Sequence, residues 1–182
     1  MFRGWEDFYF LIGSSAAGLI GLLFVVVTLT AGTDRRSAQR GASLYMTPVV
    51  FHLAAVFVLS AVAIAPGLSY LAIGLISAGG AVAGIAYATF VTLGLRKPDV
   101  TPPPHWSDIW FYGVAAGAVY AALLAAAAAT LAQAPWAEIA RGIVLIALLL
   151  LSIRNAWDLV TWLAPGTNDA DGLQEGEDAN SR

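Results

Sequence analysis

The chain has 182 residues, of which 59% are hydrophobic and only 12% are charged. An ordinary soluble domain is roughly 45–50% apolar and about 25% charged. This composition, with a mean hydropathy of +0.74, therefore excludes a water-soluble globular protein. A net charge of −3 offers no basic surface for nucleic acid. The absence of cysteine excludes disulfides, thiolate metal sites and a cysteine nucleophile.

Long apolar stretches predict an all-α integral membrane protein, a five-helix transmembrane bundle. A helix needs about 20 predominantly apolar residues to span a bilayer. The stretch 41–95 holds 55 residues without a formal charge. As one helix it would be about 80 Å long, so we predict a turn at residues 65–67, where Pro and Gly follow each other. The predicted bundle covers residues 1–164, with spans at about 8–31, 42–65, 68–95, 108–131 and 136–162.

The first two spans differ in how well their starts are defined. Span 8–31 is longer than the roughly 7–15-residue apolar core of a signal peptide, so we expect it to be retained. The second span has two candidate starts. If it begins near Gly41, His52 lies about 16 Å inside the helix. If Thr47 is the N-cap and Pro48 the first helical residue, the span is about 27 Å long and His52 lies about 6 Å from its end.

Charged and breaker residues define the remaining helix ends. The third span is predicted to end at Arg96 and Lys97, because cations suit a helix C-terminus. Ser107 is predicted to cap the fourth span, which breaks at 133–135, and Pro135 is predicted as the first residue of the fifth. The remaining segment, 165–182, is polar and acidic, so we expect an acidic disordered tail.

Basic residues near the span ends predict the orientation of the chain. With five spans, six of these residues lie on one side of the membrane and two on the other. The six are Arg35, Arg36, Arg40, Arg96, Lys97 and Arg182; the two are Arg3 and Arg141. The N-terminus is therefore predicted outside and the C-terminus in the cytoplasm.

Small residues recur at every fourth position in three spans. In a bilayer such residues let helices approach closely. The stripes predict helix packing, either inside the bundle, which is the simpler interpretation, or against a second copy or a membrane protein partner. The stripe residues are Gly13, Ala17 and Gly21 in the first span, Gly80 and Gly84 in the third, and Gly113, Gly117 and Ala121 in the fourth.

The fifth span holds a polar cluster of Arg154, Asn155 and Asp158. Arg154 and Asp158 are four residues apart, so they share one helix face and can pair. If the span continues to residue 164, Arg154 lies about 15 Å from its inner end, near the midplane. If the hydrocarbon segment ends near Trp157, Arg154 reaches the headgroups instead. His52, the histidine inside a span, is a candidate proton relay or a hydrogen-bonded packing residue.

The sequence shows no constellation that predicts catalysis. The two histidines, His52 and His105, lie in different environments, so we expect neither a metal site nor a cofactor. We likewise expect no catalytic residue and no enzymatic activity, because no nucleophile, base and orienting acid occur in a usable pattern.

Two segments carry a family resemblance. Phe8–Val25, with the run Gly13-Ser14-Ser15-Ala16-Ala17-Gly18, resembles the first span of an uncharacterised family of small multi-pass bacterial membrane proteins. Arg154–Val160, with its Asn-Ala-Trp run, resembles their closing segment. The resemblance implies a location in the bacterial inner membrane and supplies no activity.

Two functions are compatible with these patterns. The small-residue stripes favour a structural or interaction protein, such as an accessory subunit, whose partners are the lipid bilayer and a second copy or another membrane protein. The alternative is a channel or transporter for protons, ions or a small solute, with a polar path near Arg154, Asp158 and His52.

Overall fold

The computed structural model describes residues 4–30, 46–96 and 105–163, and within them only helices and turns occur. Five of these helices are long and apolar enough to cross a membrane, which confirms the predicted all-α class. They are α1 Glu6–Thr30, α2 Thr47–Ile64, α3 Tyr70–Leu95, α4 Trp106–Leu131 and α5 Ala137–Leu163.

The helices pack as a bundle in which the backbones of α2 and α5 each lie close to those of three neighbours. α2 packs against α1, α3 and α5, and α5 packs against α1, α2 and α4; α3 and α4 form the most extensive interface. The interior is filled by aliphatic side chains such as Leu53, Leu123 and Leu148, which are wholly buried. The outside carries large apolar side chains such as Phe10 and Phe90. Apolar residues on both the inside and the outside are what a bilayer requires, since lipid tails are as apolar as the core.

Two turns connect consecutive helices where the sequence predicts breaks. Pro66 and Gly67 separate α2 from α3, and Gly67 adopts a φ of +80° that glycine accommodates without a steric penalty. Gln133, with a φ of +54°, lies in the turn between α4 and α5. These turns make the neighbouring helices antiparallel.

Three predicted helix starts are corrected by the structure. α4 begins at Trp106 with His105 as N-cap, because the His105 imidazole accepts the Ser107 N–H and the Asp108 carboxylate accepts the His105 N–H. Ser107 is therefore not the cap.

α5 begins at Ala137, whose N–H bonds the carbonyl of Ala134, so Pro135 lies in the preceding turn. In α2 the residue before Thr47, Met46, is itself helical, so Thr47 is not the N-cap, and the predicted start near Gly41 lies outside the described residues.

α4 also contains a feature that the sequence did not predict. Residues Ile109–Val114 are π-helical, and the N–H of Ala115 bonds the carbonyl of Trp110, five residues back. Such insertions occur often at functional sites. Predictions on residues 31–45, on 97–104 and on the tail, 165–182, lie outside the described residues.

Candidate functional site

Arg154, Asn155 and Asp158 form a connected polar group on α5, which we call the Arg154 cluster. Arg154 Nη1 lies 2.8 Å from Asp158 Oδ2 and donates a 3.2 Å hydrogen bond to Asn155 Oδ1. The guanidinium carbon lies 3.6 Å from the ring centroid of Phe111, a π-helical residue of α4. The Arg154 and Asp158 side chains are 35% and 41% exposed, so the pair lies at the surface of the bundle and is accessible from outside.

Asn155, beneath the Arg154–Asp158 pair, connects α5 to α4 through two hydrogen bonds. Its Nδ2 donates to the Phe111 carbonyl at 3.3 Å, and Tyr112 Oη donates to the Asn155 carbonyl at 2.9 Å. A π-helical insertion shifts the backbone ladder from i−4 to i−5 acceptors, which leaves the Phe111 carbonyl available to the amide. The Phe111 carbonyl that accepts from Asn155 and the Phe111 ring that lies against Arg154 thus both belong to the π-helical segment.

The contacts of α4 with α3 locate this cluster along the bundle. A Cβ built at Gly113 would overlap Thr92, which lies three residues before the end of α3 at Leu95. Phe111 is two residues closer to that end than Gly113 is. At 1.5 Å per residue the Arg154 cluster therefore lies within about 5 Å of the level where α3 ends.

His52 lies elsewhere, in the interior of the bundle. It is wholly buried, and its Nδ1 lies 2.9 Å from Tyr120 Oη of α4. The Tyr120 ring reaches this position because it lies against Gly84 of α3, where a Cβ would overlap it. No hydrogen bond or ion pair within the described residues connects His52 to Arg154.

A third polar group, which the sequence analysis did not identify, surrounds Arg141 at the other end of the bundle. Arg141 is 1% exposed. Its Nη1 donates to Ser77 Oγ of α3, and its Nη2 donates to the Leu59 carbonyl of α2 at 2.6 Å. The guanidinium carbon also lies 5.9 Å from the ring centroid of Tyr9 in α1. Arg141 thus contacts three helices besides its own.

A sequence signal for this group exists but was interpreted differently. Arg141 is a charged residue inside the predicted span 136–162, and it was counted there among the basic residues near the span ends. Its position four residues inside α5, about 6 Å from the helix start, is the signal, because a charged residue within a candidate span normally faces the bundle interior.

The small-residue stripes pack partly inside the bundle. Cβ atoms built at Gly80 and Gly117 would lie 3.6 Å and 3.8 Å from Leu59 and Ala88, and one at Gly13 would lie 3.1 Å from Ser60. Together with Gly84 and Gly113, these glycines bring α1, α3 and α4 close to their neighbours. The stripe residues that do not pack inside are Ala17, Gly21 and Ala121, which are exposed.

On α1 the exposed small residues form a patch two turns long. It consists of Ser14, Ser15, Ala17, Gly18 and Gly21, all exposed, and we call it the α1 patch. Cβ atoms built at Gly18 and Gly21 would meet nothing within 4 Å. α1 is also the least buried helix, with 22% of its apolar window buried against 33–44% in the other four.

Within the described residues, no group of three or more His, Asp or Glu side chains could hold a metal ion. Comparison of the chain with protein-family models, with curated proteins and with solved structures finds no match. The resemblance of Phe8–Val25 and Arg154–Val160 to a bacterial family therefore stays a prediction.

Proposed function

We propose that this chain is a multi-pass membrane protein that acts as a structural or accessory subunit, and that the α1 patch binds a helix of its partner. The partner is a second copy of the chain or another membrane protein. The observation that carries the proposal is the open space outside Gly18 and Gly21 on the least buried helix.

The physical argument concerns how helices associate in lipid. No hydrophobic force drives two apolar helices together there, so association depends on close packing, which glycine and serine permit. The glycines of α3 and α4 that lie inside already have this role within the bundle. α4 also exposes small residues, such as Ala121 and Ala125, but their Cβ atoms keep a partner backbone farther away than glycine does.

We further infer that the N-terminus is outside and the C-terminus is cytoplasmic, in the inner membrane of a bacterium. The membrane assignment rests on the family resemblance. The orientation is supported by the burial of Arg141, because removing it from the loop charges leaves six basic residues on one side and Arg3 on the other. Labelling of Glu175→Cys by an impermeant thiol reagent from the cytoplasmic side only is expected; labelling from outside contradicts the orientation.

The α1 patch is tested by cysteine cross-linking in native membranes, since the chain has no cysteine of its own. Gly18→Cys places a thiol at the centre of the patch. Gly79→Cys is the matched control: Gly79 is also exposed with open space around it, but it lies on α3, outside the α1 patch. We expect a specific cross-linked species from Gly18→Cys alone. Equal cross-linking at both positions contradicts the proposal.

A second function, transport of protons, ions or a small solute, is favoured by one observation. His52 Nε2 and Ser60 Oγ are both buried without a hydrogen-bond partner in the described residues. They are eight residues apart on one face of α2, about 12 Å along the helix. Two such groups in line would suit a polar path toward the Arg154 cluster.

Flux measurements in proteoliposomes test this alternative. Transport predicts that proton or ion flux is present and is lost in His52→Gln and in the double variant Arg154→Leu, Asp158→Leu. The double variant removes both charges together and leaves no lone charge behind. Absence of flux in the wild-type protein removes the alternative.

A further inference from the structure

The guanidinium of Arg154 contacts Asp158, Asn155 and Phe111, but only one of its nitrogens takes part in the polar contacts. Nη1 makes both of its polar contacts, with Asp158 and Asn155, and no hydrogen bond to a described residue engages Nε or Nη2. Stacking on Phe111 and the anchoring of Asn155 by the Phe111 carbonyl fix the plane of the group. A guanidinium presents its donors in a planar fork that matches the oxygens of a phosphate. The unused edge is therefore preorganised for one.

Asp158 supplies an acceptor next to that edge. Its Oδ2 pairs with Arg154, and no hydrogen bond to a described residue engages Oδ1. The carboxylate is 41% exposed, so a cationic group can approach it. Because the pair has no net charge, it offers little attraction to a purely anionic ligand but complements a zwitterion with a phosphate and an ammonium group.

The position of the pair suits a ligand that comes from the bilayer surface. The Arg154 cluster lies near the level at which α3 ends. Trp157, three residues after Arg154 and on a neighbouring helix face, is 69% exposed. Exposed tryptophan is enriched at the depth of lipid headgroups.

We propose that Arg154 and Asp158 bind the headgroup of an aminophospholipid, with the phosphodiester on the free edge of the guanidinium and the ammonium on the carboxylate. The natural ligand of this chemistry is phosphatidylethanolamine. The proposal does not depend on the α1 patch, which lies on a different helix.

Native mass spectrometry of the detergent-solubilised protein tests the site, with phosphatidylethanolamine and phosphatidylglycerol of identical acyl chains added in turn. We expect the wild-type protein to bind phosphatidylethanolamine preferentially and Arg154→Gln to bind it about tenfold more weakly, because charge-assisted hydrogen bonds are lost. Arg96→Gln is the matched control, since Arg96 is an exposed arginine at the end of α3. Equal losses in both variants would show non-specific lipid binding and overturn the proposal.

Asp158→Asn keeps the size of the side chain, so it tests which lipid headgroup the site prefers rather than whether the protein folds. Without the carboxylate, the Arg154 charge is no longer balanced, so we expect preference to change from phosphatidylethanolamine to phosphatidylglycerol. Unchanged preference overturns the assignment of the ammonium to Asp158.

Soluble phosphoethanolamine, which has the headgroup without the acyl chains, distinguishes the two sources of this chemistry. We expect it not to displace the lipid at millimolar concentration. Displacement would mean that the ligand is a free metabolite and would overturn the lipid assignment.

Discussion

Asn155 is the residue that couples the charged end of α5 to α4. It is wholly buried, and it donates to the Phe111 carbonyl while accepting from Arg154. Its own carbonyl accepts from Tyr112. A leucine in its place would fill the space but leave the Phe111 carbonyl without this partner.

Asn155→Leu is expected to lower the free energy of unfolding in detergent by about 1–2 kcal/mol, the range for a lost hydrogen bond and an unsatisfied carbonyl. The control is Ser152→Ala. Ser152 is equally buried, but its hydroxyl bonds only the Leu148 carbonyl of its own helix, so a smaller loss is expected. Denaturant titration of both variants measures the difference, and equal losses would contradict the role given to Asn155.

Gly84 is a second single residue on which the packing depends, because it leaves space for the Tyr120 ring. A methyl group there overlaps the ring, so Gly84→Ala must displace Tyr120 and weaken its bond to His52. We expect a loss of about 1–3 kcal/mol, typical of overpacking. Gly79→Ala, in open space on the same helix, should change stability little or increase it, because alanine favours helix. Thermal unfolding of the two variants in one detergent measures the contrast; a tolerated Gly84→Ala contradicts it.

Among the helices, α5 makes polar side-chain contacts with the largest number of other helices. Arg141 connects it to α2 and α3 near one end, and the Arg154 cluster connects it to α4 near the other. Removal of Arg141 leaves Ser77 satisfied, since its hydroxyl already donates to the Ile73 carbonyl at 2.6 Å. The Leu59 carbonyl lies inside α2, five residues before the helix end.

These contacts predict which of two substitutions of Arg141 lowers the free energy of unfolding more. Arg141→Met is expected to cost less than about 1 kcal/mol, because a buried charge is often replaced by an apolar side chain at little cost. Arg141→Lys is expected to cost about 2 kcal/mol more, because it keeps the buried charge but lacks the planar fork that reaches both acceptors. Unfolding in detergent compares the two. A methionine variant less stable than the lysine variant would contradict the interpretation.

The same elements show what a sequence predicts and what it leaves open. The spacing of Arg154 and Asp158 predicts their pairing, because helix geometry alone brings positions four apart together. The contacts of Asn155 with Phe111 and of His52 with Tyr120 depend on a π-helical insertion and on how α2, α4 and α5 are aligned along the bundle. No local pattern encodes these, so they were not predicted.

The sequence also does not predict whether a stripe of small residues faces the interior or the outside of the bundle. Gly113 and Gly117 of α4 pack inside, whereas Ala17 and Gly21 of α1 lie outside. The spacing is the same in both helices, and each stripe also has a member on the other side, Gly13 inside on α1 and Ala121 outside on α4, so the spacing alone does not predict which residues pack inside.

At the scale of the whole molecule, the bundle combines a closely packed interior with one open helix face. Buried polar groups join α2 to α4, α5 to α2 and α3, and α4 to α5. These contacts fix the helices relative to one another, so α1 presents its patch on a defined scaffold. A preorganised surface of this kind reduces the ordering cost of binding.

The mass of the complex extracted directly from native membranes tests this account most directly. One chain has a mass of 19.0 kDa. The account predicts a larger protein mass for the wild type and for Gly79→Leu, and a mass of one chain for Gly18→Leu, because leucine at the centre of the patch prevents close approach. A Gly18→Leu complex as large as that of the wild type would contradict the role of the α1 patch.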